Sequence, residues 1–118
     1  MQDFRNLEVW NKSHQLALEV YRETRLFPGE ERFGLTSQLR RGAASISANL
    51  AEGCGRGSDA DFGRFVQNAM GSSSETEYHF LLAKDLGYLH LNPYTKLNDD
   101  ITRIKRMLAS LLRTVCST

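Results

Sequence analysis

A phosphate cradle, a metal site and an activated nucleophile each need particular residues at particular spacings, and this 118-residue chain carries a fragment of each. The run GCGRGS at 53–58 places three glycines at alternate positions around Arg56. A glycine-rich phosphate loop joins a strand to a helix, as GxxxxGK followed by Ser or Thr or as GxGxxG. GCGRGS instead follows a helical pattern and has no lysine after its last glycine. It reads first as a helix C-terminus with Gly at C′ and a connection beyond it; anion binding by the free amides ahead of the next helix, aided by Arg56, is the competing reading. A di-metal carboxylate bundle needs Glu-x-x-His on two helices, whereas Glu75 and Glu77 precede His79 by four and two positions. His14 lies on an apolar stripe, where a hydrogen-bonded core histidine competes with a ligand, and His90 lies in a turn. Neither GxSxG nor HExxH occurs, and Cys54 has no histidine beside it to take its proton. The expectation is no catalytic residue, no metal and no cofactor, with a metal-binding bundle enzyme as the remote alternative.

Charge is more informative in its distribution than in its sum. Fifteen Lys and Arg against fourteen Asp and Glu leave a net charge of +1, far from the basic balance that by itself signals nucleic acid. From Ile101 to Thr118, however, Arg103, Lys105, Arg106 and Arg113 stand without an acidic residue. Arg103, Arg106 and Arg113 fall within about 80° of one another on a helical wheel. Such a strip is either a solvated face that complements the helix dipole or a row of phosphate contacts. Arg40, Arg41 and Arg56 are candidates to extend it, with a carboxylate as the other partner for Arg41.

These side chains must be positioned by helices. Pro28 and Pro93 fall in segments that already read as turns, no run of alternating β-branched residues occurs, and apolar residues repeat at three and four throughout. Four helices are expected, at about 6–26, 33–53, 59–88 and from Asn92 onward, with Ser58 or Asp59 capping the third, and Asn92 as N-cap and Pro93 at N1 of the fourth. The fourth carries a heptad seam of Tyr94, Leu97, Ile101, Ile104, Leu108, Leu111 and Val115. MGSSSE, at 70–75, stays helical because the stripe resumes in phase beyond it. The fold class is all-α, an up-down-up-down antiparallel four-helix bundle forming one domain over 1–118.

The first helix has two apolar stripes, one of Leu7, Trp10, His14, Ala17, Leu18 and Tyr21 and one of Val9, Leu16 and Val20. One stripe more than a monomer needs implies a second copy, and Val9, Leu16 and Val20 are assigned to that oligomer interface. Gly42, Gly53 and Gly71 are read as packing glycines. Asn49, Ser73 and Thr76 on core stripes bond either to backbone carbonyls one turn back or to one another in a buried polar network with Glu52, Glu75 and Arg41. Cys54 and Cys116 read as reduced thiols, no signal or membrane segment is visible, and a cytoplasmic protein is expected.

The stretches GLTSQLRRGAASISANLAEGCGRGS and FGRFVQNAMGSSSETEYHFLLAKDLGYL carry a linked set of elements: SI-x-x-N-x-AEG, RF, A-x-GS-x-x-E and LGYL. As a set, running from about Phe4 to Val115, they resemble the small bacterial bundle proteins encoded in intervening sequences of 23S ribosomal RNA genes. The resemblance implies a non-enzymatic bundle, commonly a ring-shaped homopentamer. It also implies kinship with accessory proteins of diversity-generating retroelements, which bind nucleic acid and a reverse transcriptase through a basic surface. RNA or DNA, or a protein that handles it, is the expected partner besides further copies of the chain; a purely structural or protein-binding oligomer is the alternative.

Overall fold

A computed structural model describes residues 2–116, the side chain of Cys116 excepted, so the reading of Cys116 as a free thiol lies outside the described residues. A short 3-10 turn at Phe4–Asn6 leads into α1 (Glu8–Thr24), followed by α2 (Leu35–Cys54), α3 (Asp59–Asp85) and α4 (Leu91–Cys116). Each helix packs on its neighbours in a closed ring, α1 on α2, α2 on α3, α3 on α4 and α4 on α1. This is the antiparallel four-helix bundle that the periodicity requires.

The core is built from one stripe of each helix. Val20, Leu39, Phe80 and Leu97 meet from the four helices around one internal crevice, and Leu97, Ile101, Ile104 and Leu108 of the heptad seam are buried throughout. Full burial of each such side chain contributes about 1.5–3 kcal/mol.

Helix boundaries follow local chemistry. Ser58 is extended and its hydroxyl accepts from the Asp61 amide at 3.2 Å, so it is the N-cap of α3. α3 stops at Asp85, short of the expected 88, because Gly87 adopts φ +85°. The Tyr88 and Gly87 amides then donate to the carbonyls of Ala83 and Lys84, both at 2.9 Å, the paired bonds of a Schellman stop. Gly55 at the end of α2 is by contrast right-handed, at φ −82°. α4 begins at Leu91, which moves Asn92 and Pro93 from the expected cap into the first turn, where a missing amide hydrogen is still tolerated.

Between α1 and α2, Glu31 organises the connection. One carboxylate oxygen accepts from the Leu35 amide at 3.0 Å at the start of α2, and the other accepts from the Tyr88 hydroxyl at 3.0 Å. Gly34 makes room for it, since a Cβ there would lie 2.6 Å from Glu31 Oε1. The hydrogen bond to that carboxylate raises the Tyr88 phenol above its ordinary range.

Two assignments made from sequence are corrected here. Val9, Leu16 and Val20 are 5%, 2% and 1% exposed within the single chain, so they face the core and not a second copy. The partly exposed stripe of α1 is the other one, with Leu18 and Tyr21 at 40% and 44% exposure. Gly71 is no packing glycine, because a Cβ added to it meets nothing within 4 Å. Gly42 and Gly53 do sit at close approaches: their added Cβ atoms would lie 2.8 Å from Thr76 Oγ1 and 2.9 Å from Phe65 Cβ. Gly53→Ala is therefore expected to destabilise the bundle by about 1–3 kcal/mol through overpacking. Gly71→Ala should stabilise it by about 0.5–1 kcal/mol through helix propensity. Urea denaturation of the two variants, with opposite shifts of midpoint, is the check.

Candidate functional site

The basic residues fall into two groups once their partners are known. Lys105 donates to Glu77 Oε1 at 2.9 Å and so ties α4 to α3. Arg40 donates to Thr24 Oγ1 at 2.8 Å and to the Tyr21 carbonyl at 3.4 Å, with its guanidinium 4.8 Å from the Tyr21 ring centre. That side chain joins α2 to α1. Arg56 pairs with Glu52 at 3.1 Å and lies over the Phe65 ring. These three side chains are occupied within the chain.

Arg103, Arg106 and Arg113 are exposed on α4, away from its buried seam. Arg41 is exposed on α2, beside the groove that faces α3. Among the described residues none of these four has a carboxylate within ion-pair distance. Arg113 stands in the last turn of α4, where it also complements the helix dipole. The α4 strip carries no aromatic side chain on which a base could stack.

The polar residues on the core stripes divide as well. Ser73 is buried and donates to the Ala69 carbonyl at 2.9 Å, a local bond. Asn49 donates to the Ser45 carbonyl at 2.8 Å and to its hydroxyl at 3.0 Å, and that hydroxyl meets Ser72 of α3 at 2.9 Å. A short amide and hydroxyl chain therefore does cross from α2 to α3. Glu52 and Glu75 are exposed and do not belong to it, because a carboxylate keeps its hydration when it stays at the surface. Arg41 is absent from it too. Ser47 and Ser13, which sequence reasoning passed over, make the matching link from α2 to α1 at 3.1 Å.

Among the described residues no group of three or more His, Cys, Asp and Glu is placed to hold a metal ion. His14 is half-buried and stacks on Trp10, with ring centres 5.0 Å apart and planes 8° from parallel. His79 is buried with Nδ1 unpartnered, and Thr76 Oγ1 beside Gly42 is unpartnered as well. The Cys54 thiol is raised above its ordinary range by burial and then by the Asp3 carboxylate, the reverse of what a nucleophile needs. No described helix is long and apolar enough to cross a membrane.

An apolar surface at one end of the bundle was not visible in the sequence. Leu26, Phe33, Leu86 and Leu91 are 80%, 87%, 50% and 67% exposed. Leu26, Phe33 and Leu86 belong to the two connections that meet there, as the 5.5 Å contact between the Phe27 and Tyr88 rings shows, and Leu91 opens α4 beside them. Leu26, Phe33 and Leu91 fell in segments read as turns, and Leu86 in the expected third helix, so no periodic pattern joined them.

The profile of the 23S rRNA-intervening sequence proteins matches residues 5–110. The chain belongs to that family. A crystal structure of a protein of unknown function from the S23 ribosomal protein family of Bacteroides thetaiotaomicron is similar, with a TM-score of 0.80 and 29% identity. The similarity covers 89% of this chain and 98% of that one. No curated protein matches. Within this intervening-sequence protein, the cations that hold helices together and those that face solvent should separate by experiment. Lys105→Ala is expected to lower stability by about 0.2–1 kcal/mol at low salt, and Arg106→Ala by a negligible amount; thermal melts of the two variants are the comparison.

Proposed function

We propose that this intervening-sequence protein is a non-enzymatic homo-oligomer, a ring of five subunits, that binds RNA or DNA through the outer face of α4. The observation that carries the reading is the strip of Arg103, Arg106 and Arg113, exposed on one face of α4 and without carboxylate partners, whereas seven of the other twelve Lys and Arg are paired. Repeated around a ring, such strips make a cationic band while each subunit stays near neutrality, at +1. Arg41 stands on α2, diagonally across the ring from α4, and is a separate cationic point within one subunit; Arg40, Lys105 and Arg56 hold neighbouring elements together. Binding of this kind is led by phosphates and tolerant of base sequence. Replacing Arg103, Arg106 and Arg113 together by Gln is expected to weaken RNA or DNA retention and to flatten its salt dependence with little change in melting temperature. Wild-type protein that retains neither nucleic acid at about 50 mM salt overturns the reading.

The assembly itself is assigned to the partly exposed stripe of α1, around Trp10, His14, Leu18 and Tyr21. Leu18→Arg with Tyr21→Arg should give a helical, monomeric protein by light scattering. Leu16→Glu, which places a charge in the core, should instead lose helical signal altogether.

A second reading, a structural or protein-binding oligomer without nucleic acid, is favoured by the exposed end of Leu26, Phe33, Leu86 and Leu91. Apolar surface gathered in one place marks a protein contact more readily than a phosphate one.

A further inference from the structure

α1 and α4 flank a cleft of about 240 Å³ floored by Leu16 and Ile104. Six charged side chains line it and they do not balance. At one end Glu19 is held by Arg22 at 2.6 Å, and Asp100 by Lys96 at 2.8 Å. The Lys96 ammonium, raised chiefly by its hydrogen bond to Asp100, also feels Glu19 and Arg22 across the cleft. The two internal pairs thus face each other and neutralise that end. At the other end Lys12 of α1 and Arg103 of α4 line the same cleft, and among the described residues neither has a carboxylate within ion-pair distance. Along α1, Lys12 lies about 10 Å from Glu19 at 1.5 Å per residue, while on α4 Asp100 precedes Arg103 by about one turn, so Lys12 is the cation set furthest from the two pairs.

The floor sharpens this difference. Leu16 and Ile104 are 2% and 1% exposed, so they offer no competing acceptor and keep water from beneath the cations, where an ionic contact is less screened than on an open surface. The volume lies below the roughly 300 Å³ at which pockets begin to enclose whole small ligands.

We propose that the Lys12–Arg103 end of the α1–α4 cleft binds one phosphate group, clamped between a cation from each helix, with the Gln15 amide as a further donor. The site deepens the nucleic-acid reading, which it shares through Arg103. Its phosphate is either a free anion or one link of a nucleic-acid backbone passing from the α4 strip onto α1.

The test titrates the full chain with inorganic phosphate and, separately, with a short oligouridine, at constant ionic strength set with chloride, following the Lys12 side-chain resonances by NMR. Phosphate is expected to shift them, and Lys12→Gln, an exposed and structurally mild change, to abolish phosphate binding. Arg106→Gln, outside the cleft, should leave phosphate binding intact. If the backbone is the source, Lys12→Gln also weakens oligouridine binding by about threefold to tenfold and lowers its salt slope by about one. If phosphate binding needs Lys12 but oligouridine binding does not, or if no oligouridine is retained, the site stands with the free anion as its ligand; in the second case the nucleic-acid reading is what fails. No phosphate-induced change at Lys12 in the wild type, or phosphate binding that survives Lys12→Gln, overturns the site whatever oligouridine does.

Discussion

The close approach of α2 to α3 is the constraint around which the bundle is arranged. At Gly42 and at Gly53 the facing helix occupies the space that any Cβ would need, with Thr76 at one crossing and Phe65 and Phe62 at the other. Only at that separation do the Ser45 and Ser72 hydroxyls come within 2.9 Å of each other. The same proximity seals Thr76 at 0% exposure with its hydroxyl unpartnered, and such a group opposes folding by about 1–3 kcal/mol. The apolar packing on either side has to outweigh that term. On the opposite side of the bundle, α1 and α4 meet across charged side chains and leave a cleft.

The cations show why net charge is a poor guide to surface. Lys105 spans α3 and α4, Arg40 spans α1 and α2, and Arg56 closes the last turn of α2 onto Glu52. Each has a structural partner, and its charge is largely cancelled at short range. What a polyanion would meet at a distance is the remainder, of which Arg103, Arg106 and Arg113 lie on α4, Lys12 on α1, Arg41 on α2, and Arg25 and Arg32 between α1 and α2. A total of +1 averages over both populations and describes neither.

Much of this was legible in the chain because periodicity reports burial directly. The α4 seam, the helical MGSSSE segment and the Ser58 cap followed from spacing and residue type. The two stripes of α1 were also legible, but not which of them faced inward. Val9, Leu16 and Val20 are fewer and smaller than the residues of the rival stripe, and composition favours the larger set. Three-dimensional fit decided otherwise: the β-branched and leucine side chains fill the core, while Trp10, His14 and Tyr21 lie along the flank towards α2, where His14 stacks on Trp10 and Tyr21 receives Arg40. The glycines failed in the same manner. All three sat on helices, yet whether a neighbour occupies the missing Cβ position depends on the facing chain, which no local pattern encodes. The anion cleft was invisible for a related reason, since Lys12 and Arg103 stand far apart in sequence and share a site only through the register of α1 against α4.

The spacing of the two glycine contacts bears on the shape of the helices themselves. Gly42 and Gly53 are eleven positions apart, and so are their opposite numbers, Thr76 and Phe65. Eleven residues are close to three full turns, about 16 Å along the axis, so both contacts fall on nearly the same face of each helix. One point of close approach would leave the two helices free to pivot about it. Two such points fix their separation and their register together, so a substitution at either glycine would be felt along the whole α2–α3 seam.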